Sequence, residues 1–140
     1  MDRDQIHSLL DRWAAAWRVR DAHALAMTYA EDATVISPAS GVLEGRAQIE
    51  RVYGMWLSSF PDLVVTSDDL LIEGDRVVAI ACVSGTHVGE FFGISATGRH
   101  LELTVALVMT MRNGEIVRER RIYDFTGALV QIGVFRAKPA

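Results

Sequence analysis

Asp124 is the residue whose type and surroundings most favour acid–base chemistry in this chain. It stands between Tyr123 and Phe125, near the end of a predicted strand. A carboxylate in aromatic surroundings of low dielectric has a raised pKa, which suits a general base acting on an acidic C–H bond. A salt bridge to a neighbouring arginine, or an N-cap for residues 126–132, would account for Asp124 without catalysis, and spacing alone favours such a structural role.

His87 is the second candidate for a catalytic residue. It lies in the run Gly85-Thr86-His87-Val88-Gly89, where the glycines allow a ligand to approach the backbone closely. The imidazole could donate a hydrogen bond to a substrate oxygen or pair with Asp124, and a hydrogen-bonded structural histidine fits equally well. The four histidines share no metal-ligand spacing, so we expect no metal site.

Aromatic residues at helical spacing could form a wall for a flat ligand: Trp13, Trp17, Tyr29, Tyr53, Trp56 and Phe60. Ordinary core packing explains such residues too, and we favour it for Trp13. Trp17 lies near a predicted helix end, where a pocket would open. Arg120, on the last predicted strand, could steady a negative oxygen of the ligand.

Composition and motifs exclude several classes of protein. Eighteen acidic against fourteen basic residues give a net charge of −4, which argues against a nucleic-acid binder. The longest nearly apolar run, 103–111, is too short for a membrane span, and no apolar signal region is present, so we expect a cytoplasmic protein. A nucleophilic serine motif and a glycine-rich phosphate loop are both missing, and we expect no cofactor.

The hydrophobic pattern changes its period halfway along the chain. A repeat of 3.6 predicts a first helix capped by Asp4, a second over 21–30 capped by Asp21 and a third over about 46–59, with a short strand at 34–36 between the last two. A repeat of two then predicts strands near 62–73, 76–88, 99–112 and 115–125, with a hairpin at Asn113-Gly114. We therefore predict a single α+β domain over 1–140, with the helices packed on one face of a curved sheet.

Strand alternation sorts the candidates by face. Residues 77, 79, 81, 83, 85 and 87 share one side of their strand, and residues 116, 118, 120, 122 and 124 share one side of theirs. This predicts that His87 and Asp124 meet at one rim of a common cavity. Both faces of the strand at 99–111 are too apolar for bulk water, so we also expect a homodimer.

Several short stretches, taken together and in order, carry a family resemblance. They are Tyr29-Ala30-Glu31-Asp32, Glu44-Gly45-Arg46, Phe60-Pro61-Asp62, the run from Gly85 to Arg99, and Asp124-Phe125-Thr126-Gly127. Over nearly its whole length the chain resembles the SnoaL-like polyketide cyclases, within the nuclear-transport-factor-2-like fold. One departure is Arg120-Arg121-Ile122-Tyr123, where the family often has a tryptophan and a histidine.

The resemblance implies a cone-shaped α+β barrel with an antiparallel or mixed sheet, commonly dimeric, without cofactor or metal. It implies an intramolecular aldol condensation with Asp124 as acid and base and His87 in the pocket. His87 or Arg120 would steady the negative oxygen, and the aromatic residues would hold a flat hydrophobic substrate. The alternatives are an isomerase of the ketosteroid type and a non-catalytic protein that binds a hydrophobic small molecule.

Overall fold

Residues 1–135, which the computed structural model of the chain describes, form four helices and six strands. In chain order they are α1 (Arg3–Arg18), α2 (Ala22–Ala26), β1 (Tyr29–Ser37), β2 (Gly41–Glu44), α3 (Arg46–Ser59), β3 (Val64–Glu73), β4 (Arg76–Thr86), β5 (His100–Arg112), β6 (Glu115–Ile122) and α4 (Phe125–Gln131). The three predicted helices and the four predicted long strands are confirmed. The short strand β2 is not predicted by the sequence pattern. The predicted short strand at 34–36 is part of the longer β1, and α2 stops at Ala26 because β1 already begins at Tyr29.

The strands form one open, curved sheet in the order β2-β1-β6-β5-β4-β3. Neighbouring strands are antiparallel except β1 and β6, which run parallel, so the sheet is mixed. The predicted α+β class with helices on a curved sheet is confirmed. No helix within residues 1–135 has the length and apolar character needed to cross a membrane.

Aspartates begin three of the four helices. Asp2 caps α1 and forms a reciprocal capping box with Gln5, so the predicted cap at Asp4 is wrong by two residues. Asp21 caps α2 as predicted, through a hydrogen bond from the Ala24 amide. Asp124 caps α4. Each carboxylate satisfies an amide that the first helical turn leaves without a partner.

The hydrophobic core lies between the helices and the inner face of the sheet. The inner row of β4 ends in buried Gly85 and His87, which confirms the predicted facing of this strand. On β5 the odd-numbered residues from Leu101 to Met111 are buried in the same core. Fully burying one such aliphatic side chain stabilises the fold by about 1.5–3 kcal/mol.

A β-bulge in β6 changes which of its residues face the core. Thr110 pairs with Arg118 and Met111 with Ile116, so Val117 is an extra residue without a partner on β5. Ile116 faces the core, but beyond the bulge the odd-numbered residues do so. The predicted row 116, 118, 120, 122 and 124 is therefore wrong from residue 118 onward.

Candidate active site

An apolar cavity lies between the inner face of the sheet, α1 and α3. With its open mouth included, its volume is about 570 Å³. Its interior is narrow, since only about 70 Å³ of it is open to the centre of a water molecule. Its lining residues are Trp13, Trp17, Tyr53, Trp56, Leu63, Val65, Ala81, Val83, Leu103, Val105, Leu107, Arg121 and Tyr123.

Aromatic rings form much of the wall on the helix side, and the chain's three tryptophans all line the cavity. The Trp13 and Trp17 rings meet edge to face with centroids 6.0 Å apart, and Trp17 meets Tyr53 in the same way at 5.4 Å. Tryptophans one helical turn apart on α1 explain this arrangement, because they lie on the same helix face. The rings leave flat apolar surfaces that suit a planar ligand.

The one charged residue in the described lining is Arg121, and it is held by a buried partner. Its Nε donates a hydrogen bond of 2.7 Å to Oε2 of Glu119, whose side chain is inaccessible to solvent. Its guanidinium carbon lies 4.8 Å above the centre of the Tyr53 ring, a cation–π contact. Arg121 Nη2 is buried and donates to no residue among 1–135. A buried donor without a partner costs free energy that a ligand oxygen would recover.

Two tyrosines extend this ion pair into a hydrogen-bonded chain. The Tyr29 hydroxyl donates to Oε1 of Glu119 at 2.9 Å and lies 2.5 Å from the Tyr53 hydroxyl. Burial, reinforced by the negative charge of Glu119, raises the pKa of Tyr29 well above its ordinary value. Burial also raises the pKa of Tyr53, although the positive charge of Arg121 works against it. Both phenols are therefore neutral near pH 7.

Arg46 fixes the strand that carries Tyr29. Its Nε and Nη2 donate to the Tyr29 carbonyl oxygen at 3.0 and 2.8 Å, and Nη2 also bonds Glu115 at 2.9 Å. The preceding Gly45 has a φ of 88°, a conformation that favours glycine, and begins α3. The stretch Glu44-Gly45-Arg46 thus holds Tyr29 in register with β6.

The predicted aromatic wall divides between the cavity and the core behind it. Trp17, Tyr53 and Trp56 line the cavity, and so does Trp13, for which the sequence favours core packing. Tyr29 is fully buried and contacts Tyr53 from outside the lining. Phe60, also fully buried, stacks on Trp56 with ring centroids 5.9 Å apart.

His87 is buried in the core, outside the lining of the cavity. Its Nδ1 lies 2.9 Å from the Thr97 hydroxyl, and its ring stacks on Phe60 at 5.5 Å. Its Nε2 is buried and has no partner among residues 1–135. The imidazole therefore joins β4 to the loop before β5, as a structural histidine would.

Asp124 is exposed and serves as the N-cap of α4. Its Oδ1 accepts a hydrogen bond of 2.8 Å from the Gly127 amide. A Cβ at Gly127 would collide with this carboxylate, so the cap and the glycine fit each other. Asp124 and His87 do not share the cavity, and the prediction that they meet there is wrong.

A model of one protein family matches residues 7–132, most of the chain. That family is described as SnoaL-like polyketide cyclase. The chain belongs to the SnoaL-like polyketide cyclase family. The resemblance carried by the short sequence stretches is thereby confirmed.

Solved structures with the same fold include several bacterial proteins. TsrD from Streptomyces laurentii is 27% identical, with a TM-score of 0.84 over 96% of this chain and 99% of that one. IdmH from Streptomyces antibioticus, a candidate polyketide cyclase, is 28% identical, with a TM-score of 0.76 over 91% and 97%. A Catenulispora acidiphila protein of ketosteroid-isomerase-like fold, in complex with trimethylamine, is 25% identical, with a TM-score of 0.76 over 89% and 92%. No curated protein matches the chain in sequence.

The charged site of this SnoaL-like chain comes from residues that sequence reasoning missed. Arg120, predicted to contact substrate, is exposed on the outer face, and Arg121 takes its place in the cavity. The sequence feature that could have indicated Arg121 is the separation of Ile116 and Tyr123 along the chain. They are an odd number of residues apart, so both can face inward only if the strand contains an extra residue.

Proposed function

We propose that this chain is a cofactor-independent enzyme of the polyketide-cyclase type that acts on a flat, hydrophobic carbonyl compound. The observation that carries the proposal is Arg121 Nη2, a buried donor without a partner in the wall of an aromatic cavity. Membership of the SnoaL-like family supports the reaction class.

The cavity suits the proposed substrate in shape and polarity. Edge-to-face rings of Trp17 and Tyr53 offer their faces and edges to a planar ring system. Aliphatic side chains from β3, β4 and β5 close the opposite side. Such a lining removes water from the ligand and strengthens each polar contact made inside.

Arg121 supplies the electrostatic part of the proposed chemistry. Removal of a proton next to a carbonyl leaves negative charge on the carbonyl oxygen, and a fixed guanidinium stabilises that charge without reorganising. The bond to Glu119 and the contact with the Tyr53 ring hold the guanidinium in place before the ligand arrives. In an aldol closure the resulting enolate carbon attacks a second carbonyl, and the new alkoxide takes up a proton.

The family resemblance implies that Asp124 is the base. Asp124 follows directly on Tyr123, which lines the cavity. In this role its carboxylate must leave the Gly127 amide and turn toward the ligand. An isomerase of the ketosteroid type would need the same base and the same stabilised oxygen, and would return the proton to another carbon.

A non-catalytic binding protein is the second candidate function. It is favoured by the lining itself, because none of the cavity-lining residues within 1–135 carries a carboxylate or an imidazole. A binding protein needs the aromatic wall and Arg121 and does not need a base.

A homodimer formed through the outer face of the sheet is part of the proposal. Leu71 and Ile122 are more than half exposed there, and Val78 is partly exposed between them. The acidic Asp69 lies on the β3 side of this face and Arg120 on the β6 side. A two-fold axis along the strands would place the acidic side of one copy over the basic side of the other.

Tryptophan fluorescence tests the role of Arg121 directly, since the three tryptophans report on the cavity. The probes are 2-naphthol and, above its pKa, 2-naphtholate, which has the same shape and carries a negative oxygen. We expect wild type to bind the naphtholate at least tenfold more tightly than the naphthol, and Arg121→Lys to lose most of that preference.

Arg120→Lys is the matched control, because it changes the neighbouring residue on the opposite face in the same way. It should bind both probes as wild type does. Equal affinity of wild type for both probes would show that Arg121 does not receive an anionic oxygen. Absence of any quenching would overturn the proposed substrate class.

A further inference from the structure

We propose that Glu119 is a proton acceptor for the cavity, reached through a relay of Tyr53 and Tyr29. The inference deepens the proposed function and rests on it, because it requires an enolisable carbonyl compound in the cavity. It adds a base that needs no rearrangement of the α4 cap.

Burying the Glu119 carboxylate costs the fold free energy, because the charge loses its contact with water. Its side chain is inaccessible to solvent on a core-facing position of β6. A buried ion pair such as Glu119–Arg121 commonly gives no more stability than apolar side chains of the same volume. One of its oxygens accepts a hydrogen bond from Arg121 Nε, and the other accepts one from the Tyr29 hydroxyl. The carboxylate thus has one partner that supplies charge and one that can transfer a proton.

The hydrogen bonds of the chain have a defined direction. Tyr29 has one hydroxyl hydrogen, and it is donated to Glu119 Oε1. In the 2.5 Å contact between the two phenols, Tyr53 is therefore the donor and Tyr29 the acceptor. Tyr53 is the member of the chain that lines the cavity, and its hydroxyl oxygen has room for one more hydrogen bond beside the contact with the Trp13 indole. An acidic C–H bond of a ligand next to Tyr53 would meet an acceptor that is connected to Glu119.

The proton balance of the step closes within the site. The ligand's C–H bond breaks and its proton goes to the Tyr53 oxygen. The Tyr53 proton moves to Tyr29, and the Tyr29 proton moves to Glu119. The electron pair of the C–H bond becomes the enolate, whose oxygen is received by Arg121 Nη2. In ring closure the new alkoxide takes a proton back from Tyr53, and the relay runs in reverse.

This transfer leaves the charge of the buried site unchanged. Before it, Arg121 faces the carboxylate of Glu119, and after it, the same guanidinium faces the enolate oxygen while Glu119 is neutral. A negative charge has moved past a fixed positive charge, so no new charge is created at low dielectric. Each tyrosine gains one proton and gives one up, so both phenols are neutral before and after the transfer and the proton ends on Glu119.

The other phenol of the lining offers no such connection. Tyr123 lies 3.3 Å from the Ser37 hydroxyl and has no carboxylate as a hydrogen-bond partner within residues 1–135. Tyr53 is therefore the cavity residue through which a buried carboxylate can act.

Hydrogen–deuterium exchange of 2-tetralone in D₂O tests the relay without knowledge of the natural substrate. This bicyclic ketone has acidic hydrogens next to its carbonyl, and their loss is followed by proton NMR. Quenching of tryptophan fluorescence gives the affinity for the same ketone. The variants are Tyr29→Phe, which leaves the cavity lining unchanged, and Tyr53→Phe, which interrupts the relay at its cavity end.

The expected result separates proton transfer from binding. Wild type accelerates the exchange, and each Tyr→Phe variant lowers the rate about 100-fold or more, the usual effect of removing an acid–base group. For Tyr29→Phe the affinity for 2-tetralone stays within about threefold of wild type, since its hydroxyl does not touch the ligand. A merely structural role would lower the thermal stability without this split between rate and affinity.

Thr28→Val is the matched control. It removes a buried hydroxyl next to Tyr29, one that donates to the Leu25 carbonyl at 2.6 Å. It should exchange at the wild-type rate. Wild-type exchange in a folded Tyr29→Phe variant would overturn the relay and leave the proposed function intact. Binding without exchange by wild type would also overturn the relay and leave a binding protein. Failure of wild type to bind 2-tetralone would overturn both.

Discussion

Arg121 Nε lies 2.7 Å from Oε2 of Glu119, and both side chains face the cavity side of β6 because Val117 is an extra residue in that strand. Without the bulge, the alternation that buries Ile116 would turn both charged side chains to the outer face. The polar site of an otherwise apolar cavity therefore depends on one unpaired residue.

The two charges of this pair should depend on each other for stability. Glu119→Gln or Arg121→Met alone should lower the free energy of unfolding by about 3–5 kcal/mol, since each leaves an uncompensated buried charge. The double variant should lose much less than the sum of the two. Urea denaturation of the four proteins measures this coupling, and additive losses would show that the pair is solvated.

Asp124 should respond differently to asparagine and to alanine. Asparagine also caps helices, so Asp124→Asn should unfold within about 0.5 kcal/mol of wild type, whereas Asp124→Ala should lose about 1 kcal/mol. Thermal and urea denaturation measure both. In the 2-tetralone assay, a loss of about 100-fold in Asp124→Asn would assign the base to Asp124, and wild-type exchange would leave it a cap.

His87 and Trp17 should separate stability from ligand binding. His87→Ala removes a buried ring stacked on Phe60 and should lower the free energy of unfolding by about 2–4 kcal/mol, with the affinity for 2-naphthol within about threefold of wild type. Trp17→Ala removes part of the cavity wall and should weaken binding more than tenfold. A folded His87→Ala variant with equally weakened binding would place the imidazole in contact with the ligand.

Alkaline conditions should destabilise the protein through its buried tyrosines. An unfolded tyrosine has a pKa of about 10, and burial raises the pKa of Tyr29 and Tyr53 in the fold. The two tyrosines make their full contribution to the free energy of unfolding below a pH of about 10. Above it, the unfolded chain loses protons that the folded chain keeps. Stability then falls by up to about 1.4 kcal/mol per pH unit for each tyrosine.

Tyr29→Phe should reduce this alkaline slope. Urea denaturation at several values of pH above 9 measures it, with Thr28→Val as the variant that keeps all three tyrosines. An unchanged slope in Tyr29→Phe would mean that its phenol titrates as freely in the folded protein as in the unfolded chain.

The outer face of the sheet should hold two copies together. Sedimentation equilibrium at micromolar concentration should give about twice the chain mass of 15.4 kDa. Val78→Asp, which places a charge at the centre of that face, should give monomers with wild-type binding of 2-naphthol. A wild-type protein that sediments at the mass of one chain would remove the dimer from the proposal.

Most of the fold followed from local patterns in the sequence. The helical repeat located α1 and α3, and the alternation with Asn113-Gly114 located β5 and β6, because these signals lie within single elements or short hairpins. The sequence does not predict β2, because it has four residues, of which one is buried, and it is defined by its pairing with β1. A strand of that kind has almost no pattern of its own.

The site was harder to predict than the fold for one physical reason. Trp17, Tyr53 and Trp56 were placed in the cavity because a helix keeps its faces over its whole length. On β6, the alternation that starts at Ile116 predicts an inward Arg120 and an outward Arg121. The inserted residue Val117 reverses the two orientations. The bulge is a property of the pairing between β5 and β6, and within the strand only the odd separation of Ile116 and Tyr123 indicates it.

The parallel pairing of β1 with β6 determines when the sheet can finish folding during synthesis. Tyr29 and Glu119, which the finished molecule joins by a hydrogen bond, are 90 residues apart. The amino-terminal helices and β1 therefore leave the ribosome long before their neighbour strand exists. Until β6 emerges, the edge of β1 is open and the tryptophans have no cavity to line. A slow, late folding step that docks the first half of the chain onto the last strand is the expected kinetic signature.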